Sequence, residues 1–130
     1  MRPGLRRIEV TGSATPVLAW SRYADLGAWS TWAPPIVGVD ADGAALAVGR
    51  HGSVRVVGGI RIGFVVTAVD PEAMTWSWIA SLGPVRLTLH HDVGPDPAGT
   101  RAGLTLEGPA PVVTGYAPLA RLALVRLTRP

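Results

Sequence analysis

Between Ile36 and Glu107 the chain breaks into six short segments in which apolar and polar residues alternate, each set off from the next by turn chemistry. The segments are Ile36–Ala41, Gly52–Val57, Ile60–Asp70, Met74–Leu82, Val85–Val93 and Thr100–Glu107, and the separators include Asp42-Gly43, Gly58-Gly59, Gly83-Pro84 and Gly94–Gly99. A period of two sends successive side chains to opposite faces of a strand, so each segment has one face suited to a core. Connections this brief cannot return the chain to the start of a parallel neighbour, which leaves an antiparallel meander.

The flanks read differently. Leu5–Gly12 alternates imperfectly and predicts a first strand. Ser13 or Thr15 then caps a helix with Pro16 in its first turn and an inward stripe of Val17, Leu18, Trp20 and Ala24, and Ala28–Trp32 forms a second short helical turn ended by Pro34-Pro35. Val112–Leu127 carries an apolar face with Arg121, Arg126 and Arg129 opposite, and Pro118 predicts that the regular helix begins only near Gly115. Such a helix after an antiparallel sheet lays its apolar side on that sheet, so the fold class is α+β.

With 130 residues, 48% of them hydrophobic, residues 1–130 suffice for one domain with a core that needs no staple. No cysteine is present, which removes disulfides and thiolate metal sites. All 12 basic residues are arginine, dispersed and balanced to a net charge of only +3, so the footprint of a nucleic-acid binder is missing. Ile8–Val10 is too short for a signal-peptide core and no apolar run reaches membrane-span length, so the expected location is cytoplasmic, without a membrane partner.

The chemistry-bearing candidates follow from the alternation. On the inner face of Pro84–Pro95 stand Val85, Leu87, Leu89, His91 and Val93, which makes His91 nearly the only ionisable group facing the interior. His51 falls in a glycine-rich turn and His90 on the outer face; no metal set is expected. A neutral imidazole beside a bound ligand can take or give a proton, and Tyr116, central on the apolar face of the last helix, can donate to a ligand carbonyl. Trp76 and Trp78 share one inner wall, Trp29 and Trp32 stand three apart where they could close an entrance, and Phe64 and Leu89 complete a candidate substrate-binding surface. The same aromatics also serve as ordinary core filler. Arg61 and Arg86 alternate away from the interior unless a bulge reverses them.

Two stretches look familiar: Pro16–Trp20 followed by Tyr23–Pro34, and His91-Asp92-Val93-Gly94-Pro95 leading to Gly99-Thr100-Arg101, with Val69-Asp70-Pro71 and Trp76 between them. Over nearly the whole chain the sequence resembles the START/Bet v 1-like superfamily, particularly its bacterial polyketide cyclase/dehydrase-like members. That resemblance implies a helix-grip fold: a curved antiparallel sheet of six to seven strands around a C-terminal helix, with two short helices after the first strand. It also implies a cavity, while leaving its chemistry open. One expectation is a cofactor-independent enzyme that cyclises or dehydrates a hydrophobic, carbonyl-bearing metabolite, His91 moving a proton and Tyr116 steadying oxyanion charge. A second is a non-catalytic carrier or sensor of a hydrophobic molecule, and a third an interaction module with a filled chamber. The last helix stops sooner than in relatives, which leaves the cavity's far end less covered or covered by a second subunit, so a homodimer is among the expected states.

Overall fold

The structure is a computed structural model that describes residues 3–130. Its elements run β1 (Pro3–Gly12), α1 (Pro16–Ala24), a 3-10 turn (Leu26–Ala28), α2 (Trp29–Trp32), β2 (Ile36–Ala41), β3 (His51–Val56), β4 (Ile60–Asp70), β5 (Thr75–Leu82), β6 (Val85–Asp96), β7 (Gly99–Pro109) and α3 (Ala110–Leu127). The seven strands form one antiparallel sheet in the order β1-β7-β6-β5-β4-β3-β2. The fold is the α+β helix grip, with β2 to β7 pairing in chain order and β1 closing against β7.

Turn residues set this register. Gly58 and Gly59 both take positive φ between β3 and β4, and Gly83, at φ 57°, precedes Pro84 in the two-residue link of β5 to β6. A positive φ followed by a proline-fixed negative one suits the strand twist of a hairpin. The β2–β3 ladder slips between Ile36 and Gly38 and the β4–β5 ladder between Val66 and Ala68, and such bulges bend strands.

Both helices that carry apolar faces depart from the sequence expectation. In α1 the Thr15 hydroxyl accepts from the Leu18 amide at 3.2 Å, the cap that was expected, but Ala19 and Tyr23 are the residues buried. Val17 is 70% exposed, and Trp20 packs only partly against the core. A nine-residue helix offers several possible stripes, and the one presenting Tyr23 to Trp32, Trp76 and His91 is selected by tertiary packing. Helix α3 starts at Ala110, five residues before the expected Gly115, and runs through Pro118. Pro118 and Thr114 both face solvent, where the carbonyl deprived of its N–H donor can be hydrated. The buried face of α3 is Val113, Ala117, Ala120, Ala123, Leu124 and Leu127, set against β1 and β7.

The C-terminal end of α3 is locked to the start of the helical segment. The Ala14 amide donates to the Thr128 carbonyl at 3.0 Å, the Thr100 hydroxyl to the Ala14 carbonyl at 2.6 Å, and the Arg22 guanidinium to the Leu127 and Arg129 carbonyls at 2.6 and 2.5 Å. A cation here also meets the negative end of the helix dipole. Gly12 passes so close to Thr128 that a Cβ would collide with its carbonyl and side chain. This end of the sheet is shut, and the wider opening lies against the first half of α3, at Val112, Tyr116 and Leu119.

Candidate functional site

Alternation on β5 and β6 sends Trp76, Trp78, Leu89 and His91 inward, and the register pairs Trp76 with His91 and Trp78 with Leu89. The imidazole therefore lies flat on an indole: the His91 and Trp76 rings stack at 4.1 Å and 5°. Tyr23, brought in by α1, meets the same imidazole edge-on at 5.1 Å. From α2, Trp29 stacks on Trp76 at 5.5 Å, and its indole N–H donates to the Tyr23 carbonyl at 3.0 Å. The Trp32 N–H donates to the Arg22 carbonyl at 3.1 Å. These bonds pin α2 to α1, and Trp29 and Trp32, both buried and neither lining the outer cavity beyond, are interior residues and not the gate at the mouth that their spacing suggested.

Four polar atoms in this aromatic cluster are buried without a hydrogen-bond partner: Tyr23 Oη, Trp76 Nε1, Trp78 Nε1 and His91 Nδ1. Each such group costs about 1–3 kcal/mol relative to one that is satisfied. Three of them belong to residues that line an inner chamber of about 20 Å³, together with Trp29, Trp32, Leu89, Tyr116 and small side chains of α3. That is room for a single water-sized group.

Beyond it towards the open end lies an outer cavity of about 360 Å³. Its wall is Pro35, Val54, Val56, Ile62, Ala80, Leu82, Val85, Leu87, Val112 and Leu119, with Ile36, Trp78, Leu89 and Tyr116 shared with the inner chamber. Ser81 and the hydroxyl and indole of the shared residues are its only side-chain polar groups. Phe64 lines neither space; it backs the wall against Trp29 and Trp78 at 5.8 and 5.6 Å.

Burial pushes the His91 imidazole down to about 3, so it is neutral at physiological pH, and it pushes the Tyr116 hydroxyl up to about 12, which keeps it a protonated donor. Tyr23 is raised well above its ordinary value for the same reason, with the Asp92 charge adding to it. On the far side of the sheet Arg7 bonds Asp92 at 2.8 Å and holds that carboxyl below the usual carboxylate range.

The remaining ionisable residues stay outside. Arg61 and Arg55 both bond Asp40, Arg86 is exposed, and His51 contacts Asp42 at the surface. His90 sits on the outer face with the Ser77 hydroxyl 2.7 Å from Nδ1 and Glu107 3.6 Å from Nε2. This grouping was not foreseen, and it lies on an open sheet face away from both cavities. No cluster of three or more His, Cys, Asp or Glu side chains is placed to hold a metal among the described residues. Among them, too, no helix is long and apolar enough to cross a membrane.

Tyr23 and the apolar lining from β3 and β4 escaped the sequence reading. The spacing Ala19, Tyr23, Leu26 was available as a signal for the first; nothing in one strand's pattern signals where facing elements fail to meet.

A curved sheet gripping a terminal helix over an apolar cavity defines the START/Bet v 1-like class. The chain belongs to the family described as polyketide cyclase / dehydrase and lipid transport, which it matches over residues 7–128. Similar solved structures include protein MLL2253 from Mesorhizobium loti, at 19% identity and TM-score 0.81, covering 96% of this chain and 94% of that one. Others are protein CV1439 from Chromobacterium violaceum, at 16% and 0.74 with 95% and 94% covered, and Ara h 8.0201, at 11% and 0.71 with 94% and 96% covered. At these identities the likeness speaks for the fold alone. No curated protein matches the sequence.

Proposed function

We propose that the protein, acting as one domain, binds a hydrophobic, uncharged small molecule in the outer cavity. The observation that carries this reading is the wall itself: about 360 Å³ of open space bounded by aliphatic and aromatic side chains, with no charged group among them. Burial of an apolar ligand there is driven by the area it removes from water. The family description, which joins ring-forming and dehydrating enzymes with lipid transport, is consistent with such a guest.

A catalytic role is favoured by one feature, the Tyr116 side chain shared between the two spaces. It could polarise a ligand carbonyl while the cavity holds a flexible chain in a reactive shape. His91 is poorly suited to the general-base role expected of it, because a base is most effective with a pKa near the working pH and burial holds this one at about 3. Binding is therefore the primary reading, and cyclisation or dehydration steered by shape and Tyr116 is the second. A cytoplasmic location accompanies either.

The test is a titration with N-phenyl-1-naphthylamine, an uncharged apolar fluorophore, against the wild type and Ala80→Trp, which places an indole in the cavity. Saturable 1:1 enhancement that Ala80→Trp weakens at least tenfold supports the reading; no saturable binding to the wild type overturns it.

A further inference from the structure

The two edges of the sheet are not alike. Strand β2 is six residues long and its ladder slips between Ile36 and Gly38, features that ordinarily keep an edge from pairing. Strand β1 is ten residues long, runs against β7 without a slip, and carries its one proline at the first position. Only alternate residues of β1 turn their backbone groups towards β7; those of the others point away from the sheet, and among the described residues no backbone group bonds them. An open ladder of this length is a template for another strand.

Charge decides which strand fits. The outer row of β1 is Leu5, Arg7, Glu9 and Thr11, all exposed, while Ile8 is buried on the inner face. Leu5, at 71% exposure, is the barest large apolar side chain among the described residues. When two copies of β1 pair antiparallel, like faces must meet, so the centre of the pairing falls on a residue. Centred on Ile8, each Arg7 stands opposite Glu9 of the other copy and each Leu5 opposite Thr11. Centred on Arg7 or on Glu9, the pairing sets like charges directly across from each other, which destabilises a ladder. Arg7 is held in the outer row by its bonds to Asp92 and Glu9 of its own chain, so little ordering remains when a partner arrives. Arg101, across from Thr11 on β7, offsets the second carboxylate of that group, Asp92. We propose that two copies of the chain pair through β1, antiparallel and centred on Ile8, into one continuous sheet of fourteen strands, seven from each copy. No residue of β1 lines the outer cavity, so the binding reading above does not depend on this interface.

Sedimentation of the unmodified protein at up to about 200 μM reads the assembly: a concentration-dependent dimer is expected, and a monomer throughout overturns the proposal. Arg7→Glu meets Glu9 of the other copy with a like charge at two places and weakens the dimer at least tenfold; adding Glu9→Arg restores it to within threefold of the wild type. The register is read separately, because the chain has no cysteine of its own. Leu5→Cys and Thr11→Cys, mixed and oxidised, form the mixed disulfide, and neither crosslinks to itself. A dimer that Arg7→Glu leaves intact overturns the β1 interface, as does a single cysteine variant that crosslinks to itself while the mixture does not. Both cysteines lie outside the charged pair, so the crosslink decides the matter even where Arg7→Glu fails to fold.

Discussion

Acid should destabilise this protein through His91 well before its carboxylates titrate, and His91→Phe should abolish that sensitivity. Burial lowers the folded-state pKa from 6.5 to about 3, so between those values the unfolded chain holds a proton that the folded one does not. The sign follows from linkage: stability is fully present above pH 6.5 and falls as the pH drops towards 3. At pH 5, 1.5 units below the unfolded value, the loss is about 2 kcal/mol at roughly 1.36 kcal/mol per unit, and at pH 4 about 3 kcal/mol. Against a total stability of about 5–15 kcal/mol that is a large share. Asp40, Asp42 and Asp92 have carboxyls held below the ordinary carboxylate value, so they contribute only at lower pH. His51 and His90 are present in both proteins and cancel in the difference. Urea unfolding of wild type and His91→Phe at pH 7.5 and 5.0 reads this directly: the wild-type midpoint should fall by about 1 M more than the variant's, for a slope near 2 kcal/mol/M. Phenylalanine keeps a flat ring against Trp76 and removes the unpartnered nitrogen. Equal pH dependence in the two proteins would refute the claim that the imidazole is desolvated, and with it the argument against His91 as a general base.

Other perturbations probe the frame around the site. Gly12→Ala drives a methyl group into Thr128 and should cost more than about 2 kcal/mol in urea unfolding, within the range seen for overpacked cores; a cost below 0.5 kcal/mol would contradict the close approach. Thr100→Val leaves the Ala14 carbonyl without its buried donor and should cost about 1–3 kcal/mol, with earlier melting of the end where β1, α1 and α3 meet. Tyr23→Phe removes a buried hydroxyl that has no partner and should leave stability unchanged or raise it by about 1 kcal/mol; a loss above that size in thermal melting would show that the hydroxyl is bonded. Arg7→Ala breaks a half-exposed, bidentate ion pair with Asp92 and should cost about 1 kcal/mol, less in high salt.

Much of the architecture was legible because period-two alternation and turn glycines are local signals. The inner series of β6 from Val85 to Val93 faces the core as read, and Gly58-Gly59 and Gly83-Pro84 turn the chain where expected. Helices were harder. Pro118 looks like a start signal in isolation, yet on a solvent-facing side of α3 it is tolerated mid-helix. Val17 and Leu18 look like core residues beside Tyr23, yet the packing of Trp32, Trp76 and His91 chose the tyrosine. Trp29 and Trp32 were placed at an entrance because spacing shows which residues neighbour one another and not which way a short helix lies on a sheet. The two indole N–H bonds to the Tyr23 and Arg22 carbonyls, both tertiary, decide that orientation. The outer cavity was expected only as a consequence of resemblance. Its lining from β3, β4 and the start of α3 depends on where those elements diverge, a property of assembly that no segment carries alone.

The space bounded by Trp78, Leu87 and Tyr116 is the proposed binding site for an apolar guest. The most direct measurement is a crystal structure of the protein grown with saturating 2-acetylnaphthalene. The prediction is ring-shaped density in that space, packed against Trp78, Leu87 and Tyr116. The same space closed by repacked side chains, with the naphthyl ring bound elsewhere or not at all, would contradict it.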